Sequence, residues 1–389
     1  MIYTRTPEAL AERLMPYRTL EAWRGFASLW VVLFHTANAA IARYPDLRTS
    51  PVYAFSGFGS LGVQLFFVIS GYCIATAACN LLGKDRSFLR FLRARLRRIY
   101  PPFWCAWLIA AAITILAGFI ARHRHMGSSY SANNDVLHKP LMDSLLNLTL
   151  TQVPAHRSSL IPATWTLSYE IAFYVVVSLF LLLPFLGRHS RVFLTALHML
   201  TVLALLVLAL VPKSQFYPLD LWPQFGLGII IYDVVRHPGR KKPLFWLGFA
   251  AALFLVYIIR FDLPAGPQSE SSQLTFAVTL GFGLLLLLLH RYDETLARLK
   301  VVQIFSRIGQ FSYSLYLVHM LVIGLINQVV HLTKSPERFH LLWFGITVLL
   351  AVAAGRVFYQ YCERPFVKPV IQPASKAGQL GIVIAHTAE

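Results

Sequence analysis

Acidic residues are scarce. The 389-residue chain carries 17 Asp and Glu against 35 Lys and Arg, and 13% of its residues are charged, about half of what a soluble domain displays. That shortage excludes a single water-soluble globule. A disordered chain is excluded too, because 57% of the residues are hydrophobic and disorder requires low hydrophobicity with high charge. Cysteine is also rare. Cys73, Cys79, Cys105 and Cys362 lie in or beside apolar runs, where free Cys behaves as a small hydrophobe. There is no CxxC pair and no His/Cys rhythm, so neither a disulfide framework nor a metal site is indicated. The formal net charge of +18 does not point to nucleic acid. Nucleic-acid binders gather their basic residues on a wet face, whereas here these residues punctuate long apolar runs.

What is present is a series of such runs. A membrane-spanning helix needs about 17 to 25 mostly apolar residues. Candidate spans fall near residues 20–40, 61–82, 101–121, 161–187, 192–212, 221–235, 244–261, 273–290, 311–331 and 341–362. The expectation is an all-α, polytopic transmembrane bundle of about ten helices. The sixth candidate is short and holds Pro223, Gly226 and Gly228. Segment 145–153 is too short to span and reads as interfacial. No small-residue cleavage pattern follows the first run, which is therefore a retained helix rather than a signal peptide. The expected organisation is a cytoplasmic segment 1–19, a transmembrane domain 20–368 and a cytoplasmic tail 369–389. With the N-terminus inside, 24 of the 35 Lys and Arg fall in inner segments and 10 in outer ones. The bias of basic residues towards the cytoplasm thus places both termini there.

Ionisable groups at membrane depth are costly and are functional candidates by default. Glu21 and Arg24 open the first helix, where snorkelling makes them cheap. His35 lies eleven residues beyond Arg24, about 16 Å along the axis. Glu170 lies nine residues into the fourth candidate span, about 13 Å from its outer edge. Equal depth predicts that the two meet, the carboxylate raising the basicity of the imidazole for general-base work on a hydroxyl. Two unrelated packing hydrogen bonds are the plainer alternative. Ser70, beside Gly71, is at similar depth but reads first as a small packing residue. His319 is a ligand or a packed core histidine. His198 has no evident partner and reads as structural. His123, His125, His138 and His156 occupy a long outer segment without metal-ligand spacing. The basic stretch 84–98, KDRSFLRFLRARLRR, is a loop that either anchors on anionic lipid or holds a polyanion.

Six motifs, in order, carry a resemblance. LEAWRGFASLWVVLFH (20–35) contains an Arg-x10-His element, Arg24 and His35. GSLGVQLFFVISGY (59–72) and FLRARLRRIYPPFW (91–104) follow, the second with Arg95 and Arg98 as Arg-x-x-Arg. WTLSYEIAFY (165–174), FSYSLYLVH (311–319) and CERPF (362–366) complete the set. Together they resemble the acyltransferase-3 family of integral-membrane O-acyltransferases over residues 18–368. Thr166 stands where the family's Trp-Ser-Leu-x-x-Glu pattern has Ser. Gln64 stands where many relatives carry an acid, so a role for a carboxylate there is lost. No periplasmic esterase-like domain follows the last span, so a second enzyme, if the transfer requires one, is expected to be a separate protein.

The resemblance implies an acyl-CoA donor, usually acetyl-CoA, bound from the cytoplasm, and a carbohydrate acceptor: a polysaccharide, a lipid-linked oligosaccharide or a glycoside. It implies a multi-pass location in the bacterial inner membrane among membrane lipids. Arg24, Arg95 and Arg98 would bind the CoA phosphates. His35 would deprotonate the acceptor hydroxyl or carry the acyl group, with Glu170 orienting it. Ser70, Trp165, Tyr313 and His319 would bind substrate or support the site. No metal is implied. A proton-coupled transporter or flippase using the same His/Glu pair is the competing expectation.

Overall fold

The structure is a computed structural model that describes residues 17–123, 136–183, 185–186, 189–211, 216–260 and 272–367. The tail 369–389, most of the segment 1–19 and His125 lie outside the described residues. Every long element is a helix. We label them α1 (Leu20–Arg43), α2 (Gly62–Cys79), α3 (Ser87–His123), α4 (Leu141–Leu148), α5 (Trp165–Leu182), α6 (Ser190–Leu210), α7 (Trp222–Arg236), α8 (Lys241–Arg260), α9 (Ser272–His290), α10 (Lys300–Gly309), α11 (Ser312–Leu332) and α12 (His340–Phe358). Among the described residues, nine stretches are long and apolar enough to cross a membrane.

The sixth expected span, now α7, is the one that falls short. Its 15 residues reach about 22 Å, less than the roughly 30 Å hydrocarbon core. Every residue from Trp222 to Asp233 is buried. A helix that is apolar all round and shielded all round is a core helix, and α2, α6, α8 and α9 surround it. Its most extensive contact is with α2. There Gly71 and Gly228 let the backbones touch, since a Cβ on either would lie about 2 Å from a carbonyl oxygen of the other helix. Small residues at helix crossings serve this purpose in membranes.

The basic stretch 84–98, expected as a loop, is helical from Ser87 onward, and this corrects the reading at a point that matters. α3 runs without a break from Ser87 through Pro101 and Pro102. Within it Phe91, Arg95, Arg98 and Ile99 share an inward face at the i, i+4, i+7, i+8 helical spacing. Phe91 and Ile99 are fully buried. Arg95 and Arg98 are half-buried, whereas Arg90, Arg93 and Arg97 are exposed. The helix period thus divides one charge cluster into two populations.

α1 is fixed at its start by Asp293, whose carboxylate accepts from the Arg18 and Thr19 amides at 2.7 and 2.9 Å and from the Thr19 hydroxyl at 2.8 Å. The expected interfacial segment is α4 and its continuation, which folds back onto α3. Tyr100 Oη donates to the Thr149 carbonyl at 2.8 Å, and Trp104 Nε1 to that of Leu148 at 3.0 Å. Asn147 ties the segment to itself through Asp143, Ser158 and Leu160. Beyond α12, the chain makes a π turn at Tyr359–Glu363, a local widening that often occurs at functional sites.

Candidate active site

A cavity opens inside the bundle between α1, α2, α3, α5 and α11, and with the solvent at its mouth it takes in about 850 Å3 of non-atom space. Arg24, Arg95 and Arg98 line it, together with Cys73, Ser70, Glu170 and Tyr174. Arg95 reaches the Cys73 carbonyl at 3.5 Å and stands over the rings of Phe91 and Tyr174 at 5.6 and 5.9 Å. Arg24 pairs with Glu21 at 3.6 Å and is also within electrostatic reach of Glu170 and Glu363. Towards its other end the cavity is lined by Val63, Phe66, Thr166 and Tyr316. Tyr316 Oη donates to the Ala163 carbonyl at 2.8 Å and meets the Thr166 hydroxyl at the same distance.

Glu170 belongs to the arginine level, and its expected pairing with His35 is not formed. Its carboxylate accepts from Ser70 Oγ at 3.2 Å and from Tyr174 Oη. The reason is register. α1 and α2 run antiparallel, and Gly62 packs against Ala27 and Val31. Ser70 lies eight residues from Gly62 towards the basic end, about 12 Å, whereas His35 lies beyond Val31 in the opposite direction. α5 also starts at Trp165, not 161, after a 3-10 turn at Pro162–Thr164 whose Ala163 and Thr164 are buried, so counting inward from a supposed membrane edge misplaced Glu170.

His35 instead faces His319, ring centroids 5.2 Å apart at 43°. His319 is wholly buried and packs against Tyr316 at 5.7 Å. Phe66, Tyr316, His319 and His35 therefore form a chain of rings leading out of the cavity. Tyr313 also lines the cavity, and its hydroxyl donates to the Ile99 carbonyl at 2.8 Å. Trp165 does not line it; this residue is exposed and edge-on to Tyr169.

Three side chains here were missed by sequence reasoning. Ser312 lines the cavity, is buried, and has a hydroxyl with no partner. Glu363, placed inward by the π turn, is buried and accepts from Ser314 Oγ at 2.6 Å and its amide at 3.1 Å. It sat in plain view as an acid closing an otherwise apolar run. Tyr316 lay inside a quoted motif, but nothing local marked it as the cavity's end. His198, read as partnerless, has a partner: its Nε2 is 2.9 Å from Asp233, whose other oxygen is 2.7 Å from His237 Nδ1. His198 on α6 and Asp233 on α7 are buried, His237 is half-buried just past the end of α7, and none of the three lines the cavity. Among the described residues no group of three or more His, Cys, Asp and Glu is placed to hold a metal ion.

Comparison with known proteins agrees with the motif order. An acyltransferase domain family model matches residues 17–358. A putative membrane-bound transacylase of Komagataeibacter xylinus is 25% identical over 78% of this chain and 72% of its own. The exopolysaccharide production protein ExoZ of Rhizobium meliloti is 26% identical over 80% of this chain and 90% of its own. A putative peptidoglycan O-acetyltransferase of Bacillus subtilis is 23% identical over 89% of this chain but 54% of its own. No solved structure matches. With its helical bundle, its six motifs and a family match over nearly the whole length, the chain belongs to the acyltransferase-3 family of membrane enzymes that transfer acyl groups.

Proposed function

We propose that this enzyme takes an acetyl group from acetyl-CoA on the cytoplasmic side and esterifies a hydroxyl of a cell-surface or exported carbohydrate in the bacterial inner membrane. One observation carries the reading: three arginines converge on one part of a cavity whose other end is apolar and capped by aromatic rings. Guanidinium groups bind phosphate bidentately, and CoA is a phosphate-rich head on a long thin arm. The residues present fit such a donor. Arg24, Arg95 and Arg98 would hold its phosphates, and the cavity's length would take the arm past Cys73 and Ser70. Basic residues concentrate at this end of the bundle, which supports a cytoplasmic entry. The carbohydrate acceptor rests on relatives named for peptidoglycan and exopolysaccharide.

In the transfer, a nitrogen of His35 takes the proton of the acceptor hydroxyl, and the oxygen attacks the thioester carbonyl. The new C–O bond forms as the C–S bond breaks, and the departing thiolate receives the proton from the imidazolium. His35 is not among the residues lining the cavity, and the rings of Tyr316 and His319 lead from the lining to it, so the Tyr316 ring must give way for the thioester and hydroxyl to meet. Glu170, bonded to Ser70 and Tyr174, organises the arginine level rather than the base.

The reading is tested on surface glycans of wild type and deletion strain, compared before and after mild base. Loss of a base-labile acetate in the deletion, restored by the intact gene, is expected; identical ester content sinks it. The donor side is tested separately. Replacing Arg95 and Arg98 together with Ala should raise the KM for acetyl-CoA by roughly 10- to 100-fold, since charge-assisted hydrogen bonds contribute about 1.5–3 kcal/mol. The elution profile in detergent should stay unchanged. An unaltered KM would return these residues to a lipid-anchoring role.

A further inference from the structure

Resting on the reading of His35 as the base, we infer that His319 is the positioning residue that decides which nitrogen of His35 receives the acceptor's proton. His319 is wholly buried. Its Nδ1 faces the carbonyls of Tyr316 at 2.7 Å and Leu315 at 3.2 Å. Carbonyls only accept, so Nδ1 carries the ring's proton and Nε2 is left as a lone-pair acceptor. That Nε2 is buried with no hydrogen-bond partner among the described residues, a condition native interiors rarely leave unexplained.

The rings beside it are Tyr316 and His35. Tyr316 has spent its hydroxyl proton on Ala163. His35 makes no hydrogen bond of its own among the described residues, and at 5.2 Å between centroids the rings are spaced for one N–H···N bond after a turn of the His35 ring. An N–H of His35 pointing at His319 leaves the opposite nitrogen unprotonated, which is the form a base needs. When His35 takes the proton, its N–H to His319 becomes charge-assisted and strengthens. The interaction therefore grows during the reaction, as transition-state stabilisation requires. A neutral imidazole fills the orienting place usually given to a carboxylate, without burying a second charge at membrane depth.

The test compares His319→Leu with His319→Gln in the purified full-length protein. Acetyl-CoA is the donor, and surface polysaccharide from the deletion strain, stripped of esters by base, is the acceptor. Leu fills similar volume without an acceptor; Gln restores one, with an amide that can still donate to the Tyr316 carbonyl. His319→Leu is expected to lower kcat about 100-fold with the KM for acetyl-CoA within about twofold of wild type, and His319→Gln to recover to within about tenfold. If the Leu variant does not elute as a monodisperse peak, His319→Met takes its place. A kcat within about threefold of wild type in the Leu variant overturns the inference. So do equal impairments in Leu and Gln, or a change confined to KM. Activity retained in His35→Ala would instead overturn the assignment of the base; loss there with full activity in His319→Leu would overturn the role of His319 alone.

Discussion

His35→Ala is expected to remove surface O-acylation by about 10²- to 10⁴-fold while leaving the protein folded. The size follows from the role: a positioned general base contributes that much to proton transfer, equivalent to about 3–5 kcal/mol of barrier. The sparing of the fold follows from the surroundings. His35 is half-buried, and its ring contacts are Phe34 and His319. It holds no hydrogen bond among the described residues, so its removal strands no buried partner that was previously satisfied. α1 keeps its capping at Asp293 and its packing on α2, α10 and α11. The measurement is base-labile acetate per unit of surface glycan, normalised to the amount of protein in the membrane, with elution in detergent as the control for folding. Wild-type ester content in a strain whose variant is present at normal level would remove His35 from the chemistry. The His35/Glu170 separation sharpens the test. A general-base mutant should lose kcat, whereas Glu170→Gln acts at the arginine level and belongs with the donor.

How far the sequence could be read depended on whether the signal was local. The long helices were legible because each needs only an apolar run, and the family because its six motifs keep their order along the chain. α7 was marked as doubtful by its own length and glycines, and its burial explains both. The arginine helix was not legible as such. Charge density in 84–98 suggested a loop, although the spacing of Phe91, Arg95 and Ile99 was present in the same letters, and that spacing is what aims two arginines into the cavity. The His35–Glu170 pairing failed for a different reason. Depth was counted from assumed membrane edges, but α5 begins within the bundle and α2 slides against α1 at Gly62. Helix register is set by side-chain packing between segments far apart in sequence, and no periodicity within one segment reports it. The same holds for Asp233 beneath His198. The resemblance put Arg24, Arg95 and Arg98 on the donor and Ser70, Trp165, Tyr313 and His319 in a supporting group; the cavity lining brings the three arginines together with Ser70 and Tyr313 but includes neither Trp165 nor His319.

That register makes a second strong prediction. Gly71→Ala is expected to destabilise the protein far more than a methyl group added at any of the described glycines whose Cβ would meet nothing within 4 Å. A Cβ at Gly71 would lie 1.9 Å from the Phe225 carbonyl oxygen, 2.9 Å from its carbon and 3.2 Å from the Gly228 Cα. All three are backbone atoms of a buried helix, so no flexible side chain can swing aside. The reciprocal contact is as close, a Cβ on Gly228 falling 2.0 Å from the Val68 carbonyl oxygen. The helices must therefore separate, and α7 has nowhere to go. Trp222, Phe225, Ile229 and Ile230 are all fully buried around it, and dense interiors transmit such strain rather than absorb it. Overpacking of this kind costs about 3 kcal/mol or more, a fall in Tm of about 4 °C or more for a chain of this size. Gly57→Ala supplies the comparison, since nothing lies within 4 Å of a Cβ there. Thermal unfolding in detergent, followed by loss of monodisperse protein, should put Gly57→Ala at the wild-type Tm and Gly71→Ala well below it. Equal Tm values would mean that α2 and α7 do not meet backbone to backbone. Because Ser70 and its bond to Glu170 are carried on that same turn of α2, what activity survives in Gly71→Ala should show a raised KM for acetyl-CoA, linking the glycine contact to the geometry of the arginine level.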